Sequence, residues 1–207
     1  MGRYIAIAGN MGAGKSTLVD FLTVRFGVVP YFEPNEQNPY LKSFYKDMAR
    51  WAFPSQIYFL QKKFALHLQL EQEPGVVVQD RSIYEDAEVF CANLHRARKL
   101  SKRDWQTYWE LYESIRSRLK PPDLLIYLRC SVRTIRKRIR LRARPEEQTV
   151  SVQYIRRLNQ LYEEWYESYD LSPTVVIETD HLDYVSNLVD RIDLLDIIGQ
   201  YVEDGKP

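Results

Sequence analysis

Apolar residues along this chain fall into two alternating patterns. Short apolar runs of strand length recur at Tyr4–Ala8, Val28–Phe32, Val76–Val78, Leu124–Leu128 and Thr174–Ile177. Between them apolar positions repeat with helical spacing, as at Leu18, Val19, Phe21 and Leu22, or at Ile57, Leu60 and Phe64. Strands that alternate with helices imply an α/β fold, a parallel sheet covered by helices on both faces. Such sheets bind ligands beyond the carboxyl ends of their strands. The polar residues that close each strand are therefore the ones to read for chemistry.

The helical segments follow the same logic. The span from Pro39 to Glu73 reads as helical with a break near Pro54, which puts Gln56 in the first turn of a new helix. Ser82 caps a helix whose apolar face is Ile83, Ala87, Phe90 and Leu94. Ser101 to Leu119 forms another helix, stopped by Pro121-Pro122. Val150 to Tyr169 is an aromatic-rich helix, and Val185, Leu188, Ile192 and Leu195 mark a last one.

The first strand runs into Gly9-Asn10-Met11-Gly12-Ala13-Gly14-Lys15-Ser16, followed by Thr17 and a helical pattern. Strand, glycine loop and helix in this order make a phosphate-binding loop. The glycines permit backbone angles that turn main-chain N–H groups inward, and the new helix adds unpaired N–H groups and a positive dipole end. Lys15 can reach the β- and γ-phosphates, and the Ser16 hydroxyl can ligate Mg²⁺. A plain connecting turn needs neither this spacing nor this context. The loop implies a nucleoside triphosphate without saying how the phosphate is used.

Three further strand ends carry acids or cations. The second run ends in Glu33-Pro34, where a carboxylate can act as general base toward a hydroxyl or help hold metal-bound water. The third ends in Asp80-Arg81-Ser82, the place from which a metal ion is held beside a phosphate loop. Asp86 lies one turn further on. Gln56 offers a donor and an acceptor side by side, which suits a nucleobase edge. After the fourth strand Arg133, Arg136, Lys137, Arg138, Arg140, Arg142 and Arg144 crowd together ahead of Pro145-Glu146-Glu147. In a protein with a phosphate loop, such a segment can close over the triphosphate and stabilise charge on the transferring group.

The 207 residues fit one domain, read as 1–207 with a lid at about 136–147. A net charge of +1 argues against a surface that coats nucleic acid, and the arginine run lacks the interleaved aromatics of a single-strand binder. Cys91 and Cys130 form no metal or disulfide pattern, and His67, His95 and His181 are scattered. Neither a membrane span nor a signal peptide is expected, and the expected compartment is the cytoplasm.

Taken together, the phosphate loop, Glu33-Pro34, Gln56, Asp80-Arg81-Ser82 and Arg142-Ala143-Arg144-Pro145-Glu146-Glu147 resemble deoxynucleoside kinases in order and rough spacing. Asp80 to Asp86, Asp-Arg-Ser-Ile-Tyr-Glu-Asp, is most similar to the bacterial deoxyadenosine, deoxyguanosine and deoxycytidine kinases. The likeness runs from about Tyr4 to Tyr169. It implies five parallel strands with a lid, and transfer of the ATP γ-phosphate to a deoxyribose 5′-hydroxyl with Mg²⁺ as cofactor. It implies Glu33 as the base, supported by Arg81, with Lys15 and Ser16 serving the triphosphate and Asp80 near the metal. It further implies Tyr45 and Glu147 on the sugar 3′-hydroxyl, and Gln56 and Asp86 on the nucleobase. Arg138, Arg142 and Arg144 would form the lid, and Asp180-His181 falls where the family contacts adenine. A homodimer is implied, for which the helices Ser82–Arg98 and Ser151–Tyr169 are candidates and Tyr162, Trp165 and Tyr166 offer aromatic surface.

One position departs from many relatives. Lys63 stands where an arginine pairs with the base-site acid, and lysine is a point charge without a planar fork. Two other classes compete. A thymidylate kinase shares Glu-Pro after its second strand but takes a phosphate as acceptor, and here Asn35-Glu36 follow in place of glycines. A GTPase-type switch needs Asp-x-x-Gly after a strand and Asn-Lys-x-Asp. The first occurs only as Asp196-Ile197-Ile198-Gly199 in a helical stretch, and the second is absent.

Overall fold

A computed structural model describes residues 2–32, 37–144, 147–148 and 150–203. Its strands are β1 (Tyr4–Ala8), β2 (Val29–Tyr31), β3 (Val77–Asp80), β4 (Leu124–Arg129) and β5 (Thr174–Glu178). They form one parallel sheet in the order β2-β3-β1-β4-β5. β1 sits at the centre, and Ile5, Ala6, Ile7 and Ala8 have no exposed surface. A strand covered on both faces reads as a continuous apolar run, which is why these runs do not alternate. Ile7 pairs with Asp80 of β3 and with Ile126 of β4. Connections leave in opposite directions on either side of β1, so its carboxyl end opens a crevice.

The helices are α1 (Lys15–Phe26), α2 (Leu41–Lys46), α3 (Met48–Leu70), α4 (Ile83–Glu85), α5 (Ala92–Arg96), α6 (Lys102–Arg116), α7 (Val132–Arg142), α8 (Val152–Ser168) and α9 (Leu188–Glu203). A π-helical stretch, Asp86–Cys91, joins α4 to α5. Serine hydroxyls of Ser82, Ser101, Ser131 and Ser151 accept the N–H three residues on, at the starts of α4, α6, α7 and α8.

Two expectations change here. The helical break falls at Asp47, not near Pro54: the Asp47 side chain accepts the Arg50 N–H and caps α3, which then runs through Pro54. An interior proline removes one hydrogen bond, and a long buried helix face outweighs that loss. Gln56 therefore lies in the third turn of α3. The helix after Ser82 is also not uniformly α-helical. One extra residue in the Asp86–Cys91 turn shifts the face that follows, so Phe90 leaves the buried set that holds Ile83, Ala87 and Leu94.

Candidate active site

Residues 9–14 carry the chain from β1 into α1. Gly14 holds φ at 103°, and a Cβ there would lie 1.7 Å from the Tyr184 hydroxyl, so only glycine fits. The loop is pinned from behind. The Ala13 carbonyl accepts from Arg138 Nη1 and from the Tyr184 hydroxyl, each at 2.9 Å. Burial pushes the Tyr184 phenol up to about 12, which keeps that donor protonated. The buried Asn10 amide donates to the Ile155 carbonyl and to Asn159 on α8. Met11, Gly12, Lys15 and Ser16 line a cavity of about 440 Å³; Gly9, Asn10, Ala13 and Gly14 of the loop and Thr17 of α1 do not line it.

Lys15 Nζ donates to the Gly9 carbonyl at 2.7 Å and to the Asn10 carbonyl at 3.1 Å, and stands 4.0 Å from Asp80 Oδ1. The Ser16 hydroxyl donates to Asp80 Oδ2 at 2.5 Å. Asp80 Oδ1 is buried without a hydrogen-bond partner among the described residues. A hydroxyl and a carboxylate with spare acceptor capacity fit a small oxygen-seeking cation such as Mg²⁺. Among the described residues no cluster of three His, Cys, Asp or Glu side chains could hold a metal ion. Mg²⁺ does not require one, since it keeps waters and takes substrate phosphates as ligands.

Gln56, Arg81 and Asp86 line the same cavity, together with Tyr45. Gln56 is 5% exposed and Asp86 4%, so a base edge that reached them would be screened from water. Arg81 holds φ at 62°, uncommon for a bulky side chain, and its guanidinium lies 4.1 Å from the Phe90 ring centroid. Lys63 explains how that turn is held. Its fully buried ammonium donates to the Arg81 carbonyl and, at 3.2 Å, to the Asp80 carbonyl, and stands 3.8 Å from Asp86 Oδ2. The ion pair with Asp86 is present, but Lys63 does not line the cavity. The expected pairing of Lys63 with the base-site acid is therefore present, and Lys63 faces the cavity only through Asp86. A single ammonium already given to two carbonyls and a carboxylate has no donor left for a base.

The arginine-rich segment is placed in part. Arg142, Arg144 and Glu147 line the cavity. Arg142 Nη2 donates to both Glu147 carboxylate oxygens, at 2.5 and 2.6 Å, and Arg144 lies 3.9 Å from the same carboxylate. Arg138 does not line the cavity. Besides Ala13 it bonds the Thr179 hydroxyl and the Thr179 and Leu182 carbonyls, a clamp between phosphate loop and the residues after β5. Asp180 and His181 are exposed and do not line the cavity. Asp180 Oδ1 instead accepts the Ser131 N–H at the start of α7. Glu33, with Pro34, Asn35 and Glu36, lies outside the described residues, as do Pro145 and Glu146.

A family model described as deoxynucleoside kinase matches residues 5–203. This chain belongs to the deoxynucleoside kinase family. It is 39% identical to a deoxyguanosine kinase of Lactobacillus acidophilus over 98% of this chain and 92% of that one. It is 36% identical to a deoxyadenosine/deoxycytidine kinase of Bacillus subtilis, over 91% and 90%. A solved structure of deoxyadenosine kinase from M. mycoides with bound dATP superposes with a TM-score of 0.80 at 32% identity, over 93% of this chain and 98% of that one. The protein is thus an ATP-dependent deoxynucleoside kinase, and neither a monophosphate kinase nor a nucleotide switch is favoured.

The kinase cavity contains aromatic side chains that the sequence assigned to the core or left without a role: Phe44, Phe59, Phe90 and Tyr154. Helical spacing cannot separate a ring facing the core from one facing a cavity, because both faces are apolar. Two of the three aromatics expected to offer surface to a second copy do not, while Tyr166 is only partly buried. Tyr162 and Trp165 are buried within this chain, donating to Glu85 and Glu88.

Proposed function

We propose that this kinase phosphorylates the 5′-hydroxyl of an amino-bearing deoxynucleoside, deoxyadenosine, deoxyguanosine or deoxycytidine, with a purine first. The observation that carries the reading is one cavity lined both by Lys15, Ser16 and Asp80 and by the amide and acid of Gln56 and Asp86. Asp86 as a carboxylate is an acceptor for an exocyclic amino group. It offers nothing apolar to a thymine methyl. Gln56 orients the base in either amide orientation, and Tyr45 and Glu147 hold the sugar.

Glu33 takes the proton of the 5′-hydroxyl as its oxygen bonds to the γ-phosphorus. The bond from that phosphorus to the β–γ bridging oxygen breaks, and ADP leaves with those electrons. Lys15, Arg81, Arg142 and Arg144 stabilise the charge spread over the transferring group. Lys15 leaves the Gly9 and Asn10 carbonyls to do so. Glu147 releases Arg142 as the lid closes. Ser16 and Asp80 would hold Mg²⁺, which would neutralise phosphate charge. The site works in the cytoplasm and as a homodimer, without nucleic acid. Among the described residues no helix is long and apolar enough to cross a membrane.

Competition among the four deoxynucleosides, with ATP in excess and monophosphate products resolved, tests the base assignment. An amino-bearing nucleoside should win. Thymidine as the best substrate would overturn it.

A further inference from the structure

Glu85 has no exposed surface, yet it belongs to none of the roles above. Its Oε1 accepts the Gly9 N–H of the phosphate loop at 3.2 Å. The same oxygen accepts the Tyr162 hydroxyl from α8 and lies 3.5 Å from Arg81 Nε. Its Oε2 is buried with no hydrogen-bond partner among the described residues. Burial pushes this carboxyl above the usual carboxylate range, while the Arg81 and Lys15 cations pull it back. A buried carboxylate is costly unless nearby charge and hydrogen bonds compensate it. Here the compensating groups are the phosphate loop and an arginine that lines the cavity.

The arrangement ties three elements to one atom. Gly9 begins the loop whose carbonyl holds Lys15. Arg81 sits at the end of β3 in a left-handed conformation that its side chain does not favour. Tyr162 fixes the carboxylate from the far side, and its own phenol is pushed up by burial and so stays a donor. Phe90 supports one face of the Arg81 guanidinium, and Glu85 lies beside its Nε. A guanidinium aimed at a transferring phosphoryl group must be held to within a fraction of an ångström.

We infer that Glu85 is a positioning residue for phosphoryl transfer, aiming Arg81 and fixing the mouth of the phosphate loop through one shared carboxylate oxygen, with Tyr162 as its anchor. This rests on the kinase reading of the cavity. Its contribution is to turnover and not to nucleoside binding.

The test is a double-variant cycle on the full chain. Glu85→Gln keeps an acceptor for Gly9 and Tyr162, removes the charge beside Arg81 and places an amide NH2 where Oε2 lies buried. Its kcat should fall about 10–100-fold, with KM for ATP and for the deoxynucleoside within about threefold of the parent. In an Arg81→Ala background the same change should cost less than about threefold, because Glu85 acts through Arg81. A parental kcat in Glu85→Gln, additive losses in the double variant, or equal rises in both KM values would each overturn the inference. Should Glu85→Gln not fold, Tyr162→Phe decides. A lower kcat at constant KM supports the tie, and an unchanged kcat overturns it. If the parent itself releases no ADP with any deoxynucleoside, the kinase reading fails, and the positioning role falls with it; loss confined to the variants addresses Glu85 alone.

Discussion

At the scale of single residues, Lys63 and Asp86 separate two functions that sequence reading had joined. Both are charged and both are buried, but only Asp86 lines the cavity. Asp86→Asn keeps the shape and weakens the acceptor. The loss of a charged hydrogen bond is worth about 1.5–3 kcal/mol, or about 10–100-fold in kcat/KM for the preferred nucleoside. Thymidine should change much less. Lys63→Met should behave differently, since its ammonium holds the Asp80 and Arg81 carbonyls. It should lower kcat by a similar factor with every nucleoside and destabilise the fold by about 3–5 kcal/mol, the usual cost of stranding one partner of a buried pair. Initial rates with the four nucleosides, together with a urea melt, distinguish the patterns. Base selectivity changed by Lys63→Met alone would argue for a direct contact.

At the scale of elements, the strands were the most legible feature, because burial on both faces writes the central β1 and β4 as nearly unbroken apolar runs. The phosphate loop was equally plain, since its glycines and its lysine-serine pair keep a fixed spacing. The strand ends at Asp80 and Arg81 followed from the rule about carboxyl ends. What stayed hidden depended on packing. The extra residue in Asp86–Cys91 has no sequence mark, and it is what brings the Phe90 ring under Arg81. Glu85 was hidden because a buried acid inside a helix looks the same in sequence as a solvated one. The Asp47 cap was available to the sequence but was eclipsed by Pro54. Asp47→Ala should cost about 1 kcal/mol, near the usual value of an N-cap, in denaturant unfolding, with little effect on KM. An unchanged midpoint would remove the cap from the account. The α7 end gives a second prediction. Arg142 lines the cavity and is paired with Glu147. Arg142→Ala should therefore lower kcat by about 10³-fold while ATP affinity falls far less, because the charge it meets grows in the transition state. Equal losses in both would assign Arg142 to ground-state binding.

Across the whole molecule, one buried histidine links the fold to pH. His67 Nε2 lies 2.9 Å from the Lys120 carbonyl and 3.2 Å from Glu71, while its Nδ1 is buried with no partner among the described residues. Burial holds its pKa below the ordinary histidine value, against the opposing pull of Glu71. The unfolded chain therefore binds a proton more readily than the folded one. The stabilisation is full above about pH 6.5, the ordinary histidine value, and is lost as pH falls from there toward the folded value. Unfolding free energy from urea melts should drop as pH falls below about 6.5, and His67→Gln should flatten that slope. An unchanged slope would place the titrating group elsewhere.

The sheet, the phosphate loop and the family to which the chain belongs converge on one reaction: a phosphoryl group moves from ATP to a deoxynucleoside 5′-hydroxyl. The most direct measurement is the rate of ADP formation from MgATP with deoxyadenosine, with its 5′-monophosphate, and with 2′,5′-dideoxyadenosine. One ADP and one deoxyadenosine 5′-monophosphate per turnover are expected with the first, and no stimulation by the other two. ADP formation that ignores the nucleoside, or that runs faster with the monophosphate as acceptor, would contradict it.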